Sequence, residues 1–449
     1  MKLKWSQFVF FVKSRNQRII IVRNTLNDST VRIANQIKDI IDSAIHRSIK
    51  RNTIPLSVRG YIKKLIQLEM LVPSELNEEE KYLKFFQKIR EQDKSFEVVI
   101  PTTTSCQLNC PYCLEKGISR NKWLNIETAK KIVIWCQSYL TEHNDLNEFK
   151  VILYGGEPLL NKRVIKYILP RLYNIAREKH LLFKLGIITN GELLDFKTLS
   201  FLKHYNLNTA QITLDGPKEI HDKRRIRKDG KGTFDRIIQN ILMGFHQNLL
   251  EKVYLKINFD RQNVDSIPAL LDFLARYNLQ QKIELLFDLV VPTVYKQLNQ
   301  RASDPYFTKF GLSENEHAAK FLWLYQEAKK RGFNIPQKFV AGPYCLATRI
   351  HSAVIEPNGD LRKCFITVGQ KEFVFGNIFS TNECYDPNFD EFDYLKECLS
   401  KGCPFVPICG GGCRFQAYVS SGSLSKPYCQ RKIIEKINKG LVQLNFDEE

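Results

Sequence analysis

The sequence predicts an α/β protein. A parallel sheet curls into a partial (β/α)6 TIM-like barrel, with a winged-helix-like α+β unit before it and a cysteine-rich domain after it. Three observations carry this. Apolar, β-rich runs alternate with amphipathic helices between residues 96 and 289, the first 94 residues read as strands then helices, and the chain beyond Gly342 turns dense in cysteine, glycine and proline. Such alternation marks βαβ units, whose chemistry collects at the C-terminal ends of the strands. The expected boundaries are 1–94 for the N-terminal unit, 95–310 for the barrel, 311–341 for a bridging helix and 342–449 for the cysteine-rich domain.

In the N-terminal unit, Phe8–Lys13 and Arg18–Arg23 read as strands joined by a turn at Ser14–Gln17. Helical patterns follow over 30–44, with Ile33, Ile37, Ile40, Ile41 and Ala44 in register, and over 56–69, with Val58, Ile62, Leu65 and Leu68. Strands followed by short helices outline a winged helix-turn-helix. A charged helix over 77–92 leads into the barrel. The barrel strands are expected at Phe96–Pro101, Lys150–Tyr154, Phe183–Thr189, Thr209–Leu214, Val253–Phe259 and Ile283–Leu289. Asn125 is placed to cap a helix carrying Ile126, Ala129, Ile132, Val133 and Cys136 on one face, and Thr233 to start another with Phe234, Ile237, Ile241 and Phe245. A capping box, Ser313-x-x-Glu316, opens the bridging helix, and Gly332 follows its end. The last helix, about 430–444, carries Ile433, Ile437 and Leu441.

The chain has 449 residues, 43% of them hydrophobic, and a formal net charge of +19. No stretch approaches the roughly 20 apolar residues of a spanning helix, and Phe8–Val12 is too short for the core of a signal peptide. A cytoplasmic protein without a membrane partner is expected. In that reducing compartment twelve cysteines point to metal ligation rather than disulfides. Residues 1–64 hold 14 Lys or Arg against Asp28, Asp39 and Asp42, a net +11. This suits an acidic or polyanionic partner, or simply a basic soluble surface.

The sharpest motif is Cys106-Gln-Leu-Asn-Cys110-Pro-Tyr-Cys113, directly after the first barrel strand. Three thiolates on one short loop can hold three irons of a cubane and leave the fourth open. Structural zinc wants four closed ligands, and the next cysteine, Cys136, lies in an apolar helical stripe as a core residue. Gly155-Gly156-Glu157-Pro158 closes the second strand and Thr189-Asn190-Gly191 the third. Thr213-Leu-Asp215-Gly216-Pro217 closes the fourth, followed by His221-Asp222-x-x-Arg225. Taken alone, Gly-Gly-Glu is a turn, and His221-Asp222 is a surface ion pair or a cap.

From about residue 96 onward these motifs resemble the radical S-adenosylmethionine superfamily, with the aromatic Tyr112 before the third cysteine. The resemblance implies that Cys106, Cys110 and Cys113 hold a 4Fe–4S cluster whose open iron chelates S-adenosylmethionine. One electron, from a reductant such as flavodoxin or ferredoxin, would cleave that cofactor to a 5′-deoxyadenosyl radical. It also implies cofactor contacts from Tyr112, Gly155, Gly156, Glu157, Asn190, Thr213, Asp215 and Arg225. Glu157 would accept from the cofactor's ammonium, and Thr213 stands where the family has a serine.

The tail resembles the SPASM extension, which holds auxiliary 4Fe–4S clusters. Its pattern runs Cys345-x13-Gly359-x4-Cys364, then Cys403-x5-Cys409-x3-Cys413, then Cys429. The resemblance implies a first auxiliary cluster on Cys345, Cys364 and Cys413, and a second on Cys403, Cys409, Cys429 and Cys398. Where the pattern has a cysteine three residues before Cys403, this chain has Ser400, and a loop two residues longer would deliver Cys398 instead. Cys384 is either a further ligand of the first auxiliary cluster or a loop thiol without a role.

Many enzymes with this cluster architecture modify proteins or peptides. Maturases of ribosomally made peptides (RiPP maturases) often carry an N-terminal winged-helix unit that takes up an extended leader peptide as an added strand. The expected function is therefore a thioether or carbon–carbon crosslink in a precursor peptide with a leader. The competing expectation is an anaerobic sulfatase-maturating enzyme, forming formylglycine from Cys or Ser. A DNA-binding winged helix leaves the cysteine motifs without a purpose, so no nucleic-acid partner is expected.

Overall fold

The computed structural model describes residues 2–46, 55–113, 121–290, 305–338, 345–380 and 392–446. Cys384 lies outside them. Contacts divide the chain into two compact units, one of residues 1–90, 336–345 and 389–449, the other of 91–335 and 346–388. These cut across the boundaries expected from sequence, because most of the cysteine-rich tail groups with the N-terminal region.

The first unit begins with β1 (Leu3–Trp5), β2 (Val9–Lys13), β3 (Ile19–Asn24) and β4 (Thr30–Ala34). It continues with α1 (Asn35–His46), α2 (Leu56–Gln67), β5 (Leu71–Pro73) and α3 (Glu78–Glu91). β2, β3 and β4 form an antiparallel sheet, and β1 pairs with β5. Residues 30–34, expected to begin a helix, form instead the third strand, paired with β3 from Arg23↔Thr30 to Ile19↔Ala34. Thr30, Val31 and Ile33 are β-branched and suit a pleated surface better than a first helical turn. The helix starts only at Asn35.

The second unit is the barrel. Its elements are β6 (Ser95–Thr103), α4 (Ile126–Glu142), β7 (Glu148–Gly155), α5 (Lys162–Glu178), β8 (Leu182–Thr189) and α6 (Phe196–His204), then β9 (Leu207–Thr213), α7 (Lys218–Arg224), α8 (Phe234–His246), β10 (Val253–Phe259), α9 (Ile267–Arg276) and β11 (Ile283–Leu289). The six strands are parallel and neighbour one another in sequence order. β6 is buried at every position, as a strand covered on both faces must be. Asn125 caps α4 by accepting from the Thr128 amide at 2.8 Å, and Cys136 is a core residue of that helix. Helices α10 (Pro305–Phe310) and α11 (Glu314–Lys330) follow, the latter opened by the Ser313–Glu316 capping box. β12 (Ser352–Ile355) then joins the sheet parallel to β6 and turns back through β13 (Asp360–Arg362) and β14 (Gly376–Asn377).

The chain returns to the first unit with α12 (Asp393–Ser400), α13 (Val406–Cys409), α14 (Arg414–Ser421) and α15 (Arg431–Phe446). Side chains alternate across a strand, and β2 and β3 use both faces. Val9, Phe11, Ile20 and Val22 pack with Ile33, Ile41, Val58 and Leu65. Phe10, Val12 and Ile21 pack with Phe405, Ile408, Ile434 and Val442, against which Cys403 and Cys409 also lie. Thr25 Oγ1 donates to the Pro404 carbonyl at 2.5 Å, and Gln443 Nε2 to that of Lys13 at 3.0 Å. Among the described residues no helix is long and apolar enough to cross a membrane.

Phe405, 1% exposed, stands with its ring centroid 5.1 Å from that of Phe10. Phe405→Ala should cost about 3–5 kcal/mol of stability. Faster amide exchange in β2 and β3 would report it, and unchanged exchange there would refute the shared core.

Candidate active site

Parallel strands bring the segments leaving β6, β7, β8 and β9 to one end of the barrel. The segment after β6 carries Cys106, Cys110 and Cys113 and is held on two sides. On one, Leu108 bridges to Arg227, the Asn109 amide donates to the Ile226 carbonyl at 2.8 Å, and the Lys228 amide to that of Gln107 at 2.9 Å. On the other, the Gly156 amide donates to the Thr103 carbonyl at 3.0 Å and the Glu157 amide to that of Ser105 at 2.9 Å. A Cβ on Gly155 would stand 2.1 Å from the Thr103 oxygen, and one on Gly156 2.5 Å from the Ser105 oxygen. Only glycines let the β7 turn lie against the cysteine loop.

The three thiols line one cavity with Thr104, Gly156 and Lys228. Cys106 Sγ accepts from the Leu108 amide at 3.4 Å and from Asn190 Nδ2 at 3.8 Å. Burial pushes the Cys106 thiol up to about 12, with Glu157, Cys110 and Cys113 adding to it against the Leu108 amide. Coordination to a metal would ionise such thiols outright. Among the described residues no three His, Cys, Asp or Glu side chains converge on a single-ion site. Three thiols around one cavity suit a cubane, whose irons stand between them.

Glu157 is fully buried. Its carboxylate accepts from the Leu159 amide at 3.0 Å, from Thr189 Oγ1 at 2.8 and 2.9 Å, and from the Asn190 amide at 2.8 Å. It therefore ties the end of β7 to the end of β8, and burial raises it to about 7 in spite of these donors. Asn190 Oδ1 accepts from Gln107 Nε2 at 3.4 Å and from the Glu192 amide at 3.0 Å. The third strand end thus also braces the cysteine loop.

A second network lies at the ends of β9 and β10. The Tyr112 hydroxyl donates to the Asp215 carboxylate and accepts from Arg225 Nη1 at 3.0 Å. Asp215, fully buried, also accepts from the Asn258 amide at 3.1 Å and from Asn258 Nδ2 at 3.3 Å. Arg224 Nη1 donates to Asp260 at 2.9 and 3.0 Å and to Tyr306 Oη at 2.8 Å, and its guanidinium lies 4.9 Å from the Tyr112 ring centroid. Burial raises the Cys110 thiol, while Arg225 and Arg224 pull it down. Among the described residues the buried Nε of Arg225 has no hydrogen-bond partner. A buried guanidinium N–H left open beside Cys110 fits an anionic ligand group such as a carboxylate.

Sequence reasoning named Tyr112, Asp215 and Arg225 but missed Arg224, Asn258, Asp260 and Tyr306. Asp260 directly follows β10, and its place at a strand's C-terminal end was the available signal. Thr213 is the buried last residue of β9. His221 is a buried strut rather than a surface partner. Its Nδ1 accepts from the Asp215 amide at 3.2 Å, which leaves the proton on Nε2, 3.1 Å from Thr233 Oγ1. Burial, and then Arg225, lower it to about 3. Asp222 is the cap: its Oδ1 accepts from the Thr233 and Phe234 amides at 2.7 and 2.9 Å, at the start of α8.

In the first unit four cysteines lie near enough to act on one another electrostatically. Cys409 is acted on by Cys398, Cys403 and Cys429, and Cys398 by Cys403 and Cys429. Burial pushes the Cys409 thiol up to about 12 and that of Cys398 to about 11. Ser400, at the position of the missing cysteine, spends its hydroxyl on the Glu397 carbonyl at 3.1 Å. Gly410, Gly411 and Gly412, with φ of 59°, 74° and 85°, turn the chain between Cys409 and Cys413 through the left-handed region. A Cβ on Gly412 would meet the Tyr428 oxygen at 2.2 Å, so this turn admits the segment bearing Cys429. Cys345 and Cys413 also belong to this unit, and Cys364 to the barrel unit.

The sequence model of the radical SAM superfamily matches residues 100–274. Fe-coproporphyrin III synthase of Methanosarcina barkeri is 35% identical over 190 residues, 41% of this chain and 42% of that protein. A cysteine-type anaerobic sulfatase-maturating enzyme of Clostridium novyi is 24% identical over 351 residues, 72% of this chain and 88% of its own. The chain thus spans less than half of the first relative and most of the second. The solved structure of anSMEcpe with bound AdoMet and Cp18Cys peptide has the same fold, with a TM-score of 0.57 at 19% identity over 78% of this chain and 98% of that one.

Two outcomes follow from this geometry. Gly156→Ala should displace the cysteine loop and lower iron bound at Cys106, Cys110 and Cys113, read by iron analysis after anaerobic reconstitution. For His221 the folded-state value is depressed, so its stabilisation is present above about 6.5 and is lost as pH falls towards 3, at about 1.4 kcal/mol per pH unit. Urea unfolding between pH 7 and 5 should show a steeper loss for the wild type than for His221→Asn, and parallel curves would refute the assignment.

Proposed function

We propose that this radical SAM enzyme, related to the anaerobic sulfatase-maturating enzymes, is a peptide maturase that installs a thioether or carbon–carbon crosslink in a ribosomally made precursor. The observation that carries the reading is the N-terminal α+β region, basic in charge and built into one unit with the cysteine quartet. β2 and β4 are the edges of its sheet, and an extended leader can add to such an edge. The net +11 over residues 1–64 would steer an acidic leader to it.

S-adenosylmethionine and a 4Fe–4S cluster, fed by a donor such as flavodoxin or ferredoxin, supply the 5′-deoxyadenosyl radical that removes hydrogen from a substrate carbon. Cys106, Cys110 and Cys113 would hold the cluster. Arg225 would take the cofactor's carboxylate with its open Nε, and Tyr112 and Asp215 would fix that guanidinium. Thr213 would lend a hydroxyl at the end of β9. Gly155, Gly156, Glu157 and Asn190 would set the cysteine loop rather than meet the cofactor through side-chain charge, since the Glu157 oxygens already have protein donors. Cys398, Cys403, Cys409 and Cys429 would hold an auxiliary cluster.

The extent of alignment with the sulfatase-maturating enzyme of C. novyi favours a second reading, formylglycine formation from Cys or Ser. Mass spectrometry separates the two. A crosslinked precursor supports the first reading, and formylglycine in a sulfatase-derived peptide supports the second. Replacing Cys106, Cys110 and Cys113 together by Ala should abolish 5′-deoxyadenosine formation. Its persistence would sink both readings.

A further inference from the structure

Arg414 is a buried cation that pairs with no carboxylate among the described residues. Its side chain is 2% exposed and stands at the start of α14, next to Cys413. Every nitrogen of its guanidinium donates to backbone carbonyls. Nη1 reaches those of Leu424 and Lys426, each at 2.9 Å. Nη2 reaches Gly411 at 2.5 Å and Gly412 at 3.1 Å, and Nε reaches Gly412 at 3.3 Å. The group also lies 3.8 Å from the Tyr394 ring centroid.

Carbonyls satisfy the hydrogen bonds but leave the positive charge in place, and an uncompensated charge in the interior is costly. The groups that act on Arg414 are Tyr394, Cys413, Cys398 and Cys409. Among the described residues no carboxylate stands with these as a main influence on it. Ligated cysteines are the groups in that set that become anions at neutral pH.

We infer that Arg414 is the built-in counter-charge of the cluster proposed on Cys398, Cys403, Cys409 and Cys429, and that it holds that cluster's reduction potential up. The inference rests on the reading of these cysteines as cluster ligands. An added electron makes a thiolate-held cluster more negative, so a fixed cation beside it favours the reduced form. Net charge and surrounding hydrogen bonds are the protein's means of setting such potentials. Five carbonyl contacts and an aromatic face hold the guanidinium in one place, which suits arginine's planar fork better than a lysine's point charge.

The test uses the full chain, anaerobically reconstituted, with Cys106, Cys110 and Cys113 replaced by Ala so that only auxiliary signals remain. Redox titration followed by electron paramagnetic resonance is run on this parent, on Arg414→Lys and on Arg414→Met, with iron and sulfide measured in each. The Met variant should titrate at more negative potential, and the Lys variant close to the parent. Loss of auxiliary iron from the Met variant with retention in the Lys variant would equally support the charge. Unchanged potentials in a fully loaded Met variant would overturn the inference. So would equal effects of Lys and Met on potential or on iron, which would make Arg414 a scaffold for the loop. A parent without auxiliary iron would instead overturn the cluster reading, and the inference with it.

Discussion

The site depends on one close backbone contact, that of Gly155 and Gly156 with Thr103, Thr104 and Ser105. It sets where the cysteine loop leaves β6. The same turn delivers Glu157 into the interior, where its carboxylate gathers donors from the ends of β7 and β8. Asn190 then reaches back to Cys106. Three strand ends are thereby locked to one loop, and the thiols inherit their positions from that lock. Glu157, a charged group by its chemistry, is in this chain first a brace of the backbone.

Buried cations are set against the thiols in both units. In the barrel, Arg225 and Arg224 face Cys110. In the other unit Arg414 faces Cys398, Cys409 and Cys413. The barrel arginines are partly balanced by Asp215 and Asp260, whereas no carboxylate among the described residues pairs with Arg414. Thiols pushed up by burial would resist ionising, and neighbouring cations lower that resistance. The arrangement suits ligands that must bind as thiolates in a water-poor interior.

The N-terminal region is not an appendage. Alternation along β2 and β3 buries one face against α1 and α2 and the other against the segment that carries Cys403 and Cys409. Tyr82 and Phe86 of α3 extend this core to Leu395, Leu399 and Val406. The segment that carries Cys403 and Cys409 thus shares its core with the N-terminal sheet.

Local chemistry was legible in the sequence. The Cys106–Cys113 spacing, six barrel strands, the Asn125 cap and the Ser313–Glu316 box each depend on residues a few positions apart, and β10 and β11 were delimited to the residue. What the tertiary structure decided joins distant residues. Ile33 fits a helical or a strand period equally, and only its pairing beside Ile20 makes it strand. Arg224 meets Asp260 and Tyr306 across 36 and 82 positions. Cys398 and Ser400 share α12, where the Ser400 hydroxyl is spent on the Glu397 carbonyl. The β2–β3 sheet finds its second cover nearly 400 residues downstream, the Thr25–Pro404 bond spanning 379 positions. Period and spacing encode what a segment buries, whereas its partner is chosen by the packing of the whole chain.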